Sequence, residues 1–390
     1  MTKQKSLAEI LKTMYTVFVE EVCFMETIKN VLVGQSGGPT AVINASLAGV
    51  YETARAMGAE HVYGMRYGIQ GLLQEQIVDL NECLSDKMDI ELLKRTPASY
   101  LGSCRFRLPN PDVDEEPYKQ LFHLFEKYEI GAVFYIGGND SMDTIARLAA
   151  YGAKVKSSIR FIGVPKTIDN DIYGTDVTFG FQSAINIATE AIDCIHTTAA
   201  SHNRVFIVEV MGHKVGWLTL YAGIAGGADI ILLPEIPYDI NKVIGAINKR
   251  TKAGKGFTIL AVAEGAISKE DSSLTKKAYK AKVADRKYPS VSYEIADQIY
   301  EAAGVEVRVT VPGHTQRGGS PCPYDRVLCT RLGSAAAQAI IEEDYGCMIA
   351  MINGETKRVP LAEVSGKLKT VDPDCQMIQE AKRIGISFGD

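Results

Sequence analysis

Short runs of β-branched and aromatic residues alternate with longer helical stretches from Val31 onward. The runs predicted as strands are VLV (31–33), AVFYI (132–136), RFIGV (160–164), VFIVEV (205–210), DIILL (229–233), FTILAVA (257–263) and VEVRVTV (305–311). These runs lack in-and-out alternation, which is typical of parallel sheets covered by helices on both faces. The sequence therefore predicts an α/β fold, with ligands bound in the loops that follow the carboxyl ends of the strands.

Composition limits the classes of protein to which this chain can belong. It has 390 residues, of which 46% are hydrophobic and 23% are charged, which suits two domains with real cores and excludes general disorder. The formal net charge is −5 and there is no block of Lys and Arg, which argues against a nucleic acid partner. No apolar run is long enough to predict a membrane span. Because no linker is evident, we expect a second domain to form by the chain crossing over.

The eight cysteines are scattered and form no CxxC motif, which predicts reduced thiols and a cytoplasmic location. The N-terminal 25 residues contain one short apolar stretch, TMYTVFV, followed at once by Glu20 and Glu21. No small-residue cleavage site follows, so this segment is a poor signal peptide. We interpret residues 1–25 as a helical extension, or as an upstream start that is not the natural one.

Two predicted strands are followed by paired glycines and then by a helix. In the first loop, residues 34–44, adjacent glycines can bring backbone N–H groups close to an anion, although a tight turn would also need them. The second loop, Gly137 to Ser141, adds the Asp140 carboxylate, which suits a metal ligand or a group that excludes additional negative charge. The structural alternative is a helix N-cap formed by Asp or Ser. Two such loops in one chain favour phosphate binding.

The third loop, residues 165–171, brings four functional groups into five residues. Lys166 and Thr167 precede Asp169 and Asp171, all beyond the run RFIGV. The cluster offers a base for a hydroxyl proton, a metal ligand and a cation for phosphate charge, which are the groups that phosphoryl transfer needs. The alternative is an Asx-turn beside a solvated lysine.

The second half of the chain carries candidate groups for a phosphorylated sugar. Guanidinium groups match phosphate oxygens, and a carboxylate suits sugar hydroxyls. The alternatives are a structural histidine and surface arginines. The candidates are Arg204, Met211, Gly212, Glu264, Arg308, His314 and Arg317. Arg105, in LGSCRF, is either a further phosphate contact or a surface charge.

Taken in order, a set of motifs resembles the 6-phosphofructokinase family. The motifs are QSGGPTAVIN, LGSCRF, GGNDSMDT, PKTIDNDI, SHNRVFIVEVMG, GIAGGADIILLPE, AEGA and GHTQRGGSPCPYDR. The resemblance implies two three-layer α/β/α (Rossmann-like) domains with the active site between them, assembled as a homodimer or homotetramer. It also implies Mg²⁺-dependent transfer of a phosphoryl group to the 1-hydroxyl of fructose 6-phosphate.

Two residues bear on the phosphoryl donor. ATP-using members resemble GGDGS and PGTIDND, whereas this chain has Asp140 and Lys166 at the two variable glycines. Both residues resemble the pyrophosphate-dependent branch, and a carboxylate at position 140 would repel an α-phosphate. The alternative is an ATP-dependent 6-phosphofructokinase. A non-catalytic regulatory subunit would be expected to lack Asp169 or Lys166, and both are present. Activity on sedoheptulose 7-phosphate is a further variation that the sequence leaves open.

Residue by residue, the resemblance assigns further roles. Asp169 matches the general base, Thr167 a neighbouring substrate contact and Asp171 a metal-linked carboxylate. The donor site is matched by Gly37, Gly38, Arg105, Gly138, Asp140 and Ser141. The sugar-phosphate site is matched by Met211, Gly212, Glu264, His314 and Arg317, together with Arg204 and Arg308 from the neighbouring subunit. Asn139 stands where many relatives have an acidic metal contact, so Mg²⁺ is expected to be bound by Asp171 with either Asn139 or Asp140.

The predicted organisation is discontinuous. Residues 26–180 and about 316–366 are assigned to the phosphoryl-donor domain, and residues 181–315 with the C-terminal tail to the sugar-phosphate domain. The tail carries two strand-like runs, MIAMIN and KRVPLA, and is expected to add to a domain. Allosteric relatives carry effector-site arginines where this chain has Ala48, Glu52 and His196. We therefore expect no regulation by ADP or phosphoenolpyruvate at that site.

Overall fold

The computed structural model describes residues 29–390, so the predicted extension over residues 1–25 lies outside the described part. These residues divide into two compact units. The first unit comprises residues 29–166, Gly174–Asp176 and Arg326–Lys367. The second comprises Thr167–Tyr173, Val177–Asp325 and Leu368–Asp390. Among residues 29–390, no helix has both the length and the hydropathy that crossing a bilayer requires.

Strands and helices alternate along most of the described chain. The strands are β1 (Asn30–Gln35), β2 (His61–Met65), β3 (Ile77–Asp79), β4 (Ile130–Gly137), β5 (Arg160–Thr167), β6 (Phe179–Gly180), β7 (Val205–Val210), β8 (Ile230–Leu232), β9 (Thr258–Ala263), β10 (Val307–Thr310), β11 (Cys347–Ile352) and β12 (Glu355–Pro360). The helices are α1 (Ile43–Ala56), α2 (Gly68–Leu72), α3 (Leu80–Cys83), α4 (Lys87–Arg95), α5 (Glu116–Lys127), α6 (Asn139–Lys154), α7 (Phe181–His202), α8 (Trp217–Ala225), α9 (Ile240–Lys252), α10 (Lys269–Ser272), α11 (Lys276–Ala284), α12 (Val291–Ala303), α13 (Pro323–Ile341), α14 (Leu361–Val364) and α15 (Gln376–Arg383), with a 3₁₀ helix at Gly313–Arg317.

The sheet of the first unit is mixed, which corrects the expectation of parallel strands alone. Its strands follow the order β12-β11-β5-β4-β1-β2-β3. The pairs from β11 to β2 are parallel, but β2–β3 and β11–β12 are antiparallel. At the β11–β12 turn, Asn353 and Gly354 both have positive φ, the geometry of a tight two-residue hairpin. The two strands predicted in the tail are therefore confirmed, and the Asn-Gly pair explains their antiparallel direction.

The sheet of the second unit is parallel throughout, in the order β10-β7-β9-β8. Strands β7, β8 and β9 are buried, whereas β10 at the edge of the sheet is partly exposed. Apolar side chains of the sheet pack with those of α9 and α12. The core includes Val205, Ile207, Leu260, Val262, Val243, Ile247, Ile295 and Ile299. Burial on both faces explains why β7, β8 and β9 are continuous apolar runs. The run VEVRVTV around β10 alternates and its strand is partly exposed, which corrects the expectation that none of the runs alternates. The predicted α/β fold is confirmed.

Strand β5 is longer than predicted, since it continues from RFIGV through Pro165, Lys166 and Thr167. Pro165 pairs with Gly137 at the end of β4. A proline lacks the N–H that a central strand needs, so its position near a strand end fits the sheet. Lys166 and Thr167 therefore belong to the strand and not to the following loop, which fixes their backbone in the sheet.

Candidate active site

The first glycine loop contacts a buried lysine. Gly37 has φ +79°, and a Cβ placed there would lie 3.2 Å from the Lys166 Nζ. Lys166 is only 2% exposed, and its ammonium donates a hydrogen bond to the Gly38 carbonyl. The predicted alternative of a solvated lysine is therefore wrong. Strand β5 places a cation directly against the backbone that was predicted to bind phosphate.

The LGSCRF segment packs on the same loop. The Ser103 hydroxyl donates to the Gly37 carbonyl at 2.5 Å, and the Gly37 N–H donates to the Cys104 carbonyl at 3.2 Å. These bonds bring Arg105 beside the loop. Its side chain is exposed, and it forms no ion pair with any residue from 29 to 390. Arg105 is therefore available to an anion.

The second glycine loop opens helix α6, and Gly138 is its N-cap residue, with no side-chain cap. The alternative in which Asp140 or Ser141 caps the helix is therefore wrong. Ser141 is buried and packs so closely on Gly137 that a Cβ there would come within 2.0 Å of its hydroxyl oxygen. Asp140 lies in the first turn, where a negative side chain is favoured by the helix dipole.

Asp140 has a partner that the sequence did not reveal. The Arg107 guanidinium lies 2.9 Å from the Asp140 carboxylate. A Cβ at Gly138 would lie 3.5 Å from the Lys166 carbonyl, so the second loop also approaches β5. The first unit thus brings together the predicted donor-site residues: Gly37, Gly38, Arg105, Gly138, Asn139, Asp140, Ser141 and Lys166.

In the second unit, the segment Thr167–Tyr173 carries the predicted base. The Asp169 N–H donates to the Thr167 hydroxyl at 3.0 Å, and the Thr167 carbonyl accepts from the Thr178 hydroxyl at 2.8 Å. Asn170 has φ +54°, and its amide oxygen accepts from the Thr178 N–H at 3.0 Å. Asp169 is half-buried, whereas Asp171 is only 8% exposed. The hydrogen bond from Asp169 is accepted by a threonine hydroxyl and forms an ST-turn, whereas the alternative predicted from the sequence is an Asx-turn. Together these bonds fix the backbone on both sides of Asp169.

The predicted sugar-phosphate residues also meet in the second unit. The buried Gln316 connects two segments, since its oxygen accepts from the Met211 N–H at 3.2 Å and its amide donates to the Gly313 carbonyl at 3.1 Å. The Glu264 carboxylate accepts from the N–H groups of Gly212 and His213 at 3.3 and 2.7 Å. These bonds bring Met211, Gly212 and Glu264 to the 3₁₀ helix that carries His314 and Arg317.

Arg204 and Arg308 share one carboxylate. Arg204 Nε lies 2.7 Å from one oxygen of Glu306, and Arg308 pairs with the other oxygen. Strand pairing explains the arrangement, because Arg308 on β10 is opposite Phe206 on β7, two residues after Arg204. Sequence reasoning singled out both arginines but missed Glu306.

The predicted site residues therefore form two groups, one in each unit, and the groups are joined in the chain at Lys166–Thr167. Within residues 29–390, no cluster of three or more His, Cys, Asp or Glu side chains could hold a metal by itself. The metal ligands predicted here, Asn139, Asp140 and Asp171, supply carboxylate and amide oxygens. Oxygens of these types suit Mg²⁺, which is usually bound through one or two carboxylates together with phosphate oxygens and water.

Comparison with known proteins gives matches over most of the chain. The phosphofructokinase family model matches residues 30–340. The ATP-dependent 6-phosphofructokinase of Spirochaeta thermophila is 44% identical over 362 residues, covering 91% of this chain and 96% of that protein. The ATP-dependent 6-phosphofructokinase 3 of Bacteroides thetaiotaomicron is 41% identical, with 91% and 98% covered.

Solved structures are also similar. The pyrophosphate-dependent phosphofructokinase of Nitrosospira multiformis has a TM-score of 0.77 and 28% identity, covering 90% of this chain and 88% of that one. These two sequence relatives are named for ATP, whereas this structural neighbour is named for pyrophosphate. The matched motifs, the family model and the shared fold lead to one conclusion: the chain belongs to the phosphofructokinase family of enzymes.

Proposed function

We propose that the protein transfers a phosphoryl group to the 1-hydroxyl of fructose 6-phosphate, with Asp169 as the general base. The observation that carries the proposal is the continuity of Lys166 with the base segment. Lys166 is buried against the first glycine loop, and the hydrogen-bonded segment of Thr167 and Asp169 follows it directly. In the reaction, the sugar oxygen attacks phosphorus, its proton passes to the Asp169 carboxylate, and the remainder of the donor leaves.

The charges of the two groups suit the two ends of the reaction. Lys166 and Arg105 would neutralise the donor phosphates, as phosphoryl transfer requires. His314 and Arg317, on the 3₁₀ helix beside Gly212 and Glu264, would bind the sugar phosphate. Mg²⁺, when bound, neutralises charge on the donor oxygens, and Asp171 with Asn139 or Asp140 would hold it. In a homodimer or homotetramer, Arg204 and Arg308 would complete the sugar-phosphate site of the neighbouring subunit.

For the donor we propose pyrophosphate, on the basis of Asp140 and Lys166. The Asp140 carboxylate stands in the first turn of α6, where its charge would repel the α-phosphate of a nucleotide. Lys166 supplies a buried cation for a compact and highly charged donor. The second candidate is ATP, and the names of relatives at 44% and 41% identity support it.

One assay separates the candidates: production of fructose 1,6-bisphosphate from fructose 6-phosphate and Mg²⁺, with pyrophosphate or ATP as donor. Activity with pyrophosphate and little with ATP supports our proposal, whereas activity mainly with ATP keeps Asp169 as base and overturns the donor. No activity with either donor contradicts the function itself.

The double variant Asp140→Gly with Lys166→Gly tests the residues behind the donor proposal. We expect it to shift donor preference toward ATP, and an unchanged preference would refute their role. Asp112→Gly with Lys156→Gly is the matched control. Asp112 is exposed, and Lys156 has φ +57°, so glycine suits its backbone.

A further inference from the structure

A segment near the C-terminus contacts the base segment, although it lies beyond the residues that the family model matches. We call residues 368–371 the tail segment. The Lys369 N–H donates to the Asp171 carbonyl at 2.9 Å, and Leu368 and Ile172 form an isolated antiparallel bridge. Both partners belong to the second unit. Backbone bonds therefore connect the tail segment to the residues around Asp169.

Lys369 also contacts the base segment through its side chain. Its ammonium donates to the Asn170 amide oxygen at 2.9 Å, the same oxygen that accepts from Thr178. Asn170 is next to Asp169 and adopts the left-handed conformation, which is uncommon for residues other than glycine. These contacts fix the side chain of the residue that directly follows Asp169.

The tail segment is anchored on its other side to helix α8. The Trp217 indole N–H donates to the Lys369 carbonyl at 2.9 Å, and the Lys369 ammonium lies 5.8 Å from the centre of the Trp217 ring. The Glu235 carboxylate accepts from the N–H groups of Val371 and Gly216 at 2.9 and 3.0 Å. Lys369 is therefore held in place by groups that take no part in the reaction.

We propose that Lys369 is a positioning residue for the general base. It acts through Asn170 and fixes the segment Thr167–Asp171, so that the Asp169 carboxylate is directed at the sugar hydroxyl. This inference rests on the proposed function, in which Asp169 is the base. Because catalysis is sensitive to displacements of about 1 Å, loss of this contact is expected to slow the chemical step more than it weakens substrate binding.

The test compares Lys369→Met with Lys369→Arg. We expect Lys369→Met to lower kcat roughly 10-fold or more while KM for fructose 6-phosphate changes less than about twofold. Lys369→Arg keeps a cationic donor for Asn170 and is expected to restore most of kcat. Lys357→Met is the matched control, since Lys357 is an exposed lysine that pairs with Glu355 on β12. A kcat for Lys369→Met within twofold of wild type overturns the inference.

Two further readouts separate this role from general stability. In an Asn170→Ala background, Lys369→Met is expected to have little additional effect on kcat, because the two residues act as one unit, whereas additive losses contradict the inference. Amide hydrogen exchange over residues 167–173 is expected to quicken in Lys369→Met and not in Lys357→Met. Unchanged exchange overturns the positioning role even if the wild type proves inactive. An inactive wild type, by contrast, overturns the proposed function. If Lys369→Met does not fold, Lys369→Gln serves in the same tests.

Discussion

Arg107 and Asp140 form an ion pair with 2.9 Å between a guanidinium nitrogen and a carboxylate oxygen. The two side chains are 79% and 60% exposed, so the pair adds little to stability. The ion pair matters for its position, because Asp140 lies in the first turn of α6 beside the second glycine loop. The pair fixes the carboxylate that we hold responsible for donor choice and adds a cation beside it.

Replacing Arg107 by methionine should weaken donor binding without destabilising the fold. A lost charged hydrogen bond to phosphate corresponds to roughly a 10-fold increase in KM for the donor. We expect KM for fructose 6-phosphate and the melting temperature to stay near wild-type values. Steady-state kinetics with the donor varied will measure the effect. Lys119→Met, which removes another exposed cation of the first unit, is the control, and an equal KM in both variants would show that Arg107 has no donor role.

Asp169→Asn should abolish most of the activity and leave substrate binding intact. General base catalysis contributes roughly 10²- to 10⁴-fold, so kcat should fall by that factor. The Asp169 N–H to Thr167 bond involves the backbone, and the substitution leaves it in place. The shift in melting temperature caused by fructose 6-phosphate should therefore persist. Asp193→Asn, at an exposed position of α7, is the control. A fall in kcat of less than 10-fold would exclude Asp169 as the base.

Arg204 and Arg308 are proposed to act in the site of a neighbouring subunit, and mixed oligomers can test this. An Asp169→Asn subunit lacks the base but has both arginines. A subunit with Arg204→Met and Arg308→Met has the base but lacks both arginines. If the arginines act across subunits, each hybrid dimer regains one intact site, so random mixing gives about a quarter of wild-type activity. If they act within their own subunit, every site stays defective. Co-expression of two differently tagged variants provides the mixture.

ADP and phosphoenolpyruvate should each change the activity by less than twofold. The positions matched to effector arginines carry no available cation. Ala48 is buried, Glu52 is a carboxylate 2.8 Å from Lys94, and the ring nitrogen of His196 lies 2.6 Å from the Gly226 carbonyl. Initial rates at subsaturating fructose 6-phosphate, with and without each effector, will check this. A several-fold shift with either compound would mean that another site binds it.

The sequence predicted those features that depend on local pattern. The runs at β4, β7 and β9 were found because strands buried on both faces are apolar throughout, and the glycine loops were found because they follow such strands. Proline and charge are rare within strands, so the sequence predicts a loop at Pro165, Lys166 and Thr167. In the structure Pro165 pairs with Gly137 of β4, and β5 continues to Thr167. Because these residues are proline or polar, the sequence predicts too early an end for β5.

Partners distant in sequence could not be predicted in this way. Lys369 is 199 residues from Asn170, and Glu306 joins Arg204 only because β10 pairs with β7. Arg107 lies two residues after Arg105, but no periodic pattern distinguishes which of the two faces Asp140. Such contacts depend on strand order, as for Glu306, or on the packing of distant segments, as for Lys369, and a single sequence specifies neither. The residues proposed to position other groups are found through these distant contacts, whereas the residues proposed to react or bind substrate are found in motifs.

The stability of the protein should depend on pH through a buried aspartate. Burial raises the pKa of Asp325 above that of an exposed aspartate, although its carboxylate accepts from the Ser183 N–H and hydroxyl at 2.7 and 2.6 Å. The protonated carboxyl is therefore the form that folding favours. Its contribution is fully present below the unfolded pKa of about 3.9 and is lost as the pH rises through the folded pKa. Asp325→Asn keeps an oxygen acceptor and cannot ionise. Its free energy of unfolding should therefore increase relative to that of wild type as the pH rises from about 4 toward neutrality. Urea unfolding of both proteins across this range measures the difference, and a difference that stays constant with pH would show that Asp325 does not titrate with folding.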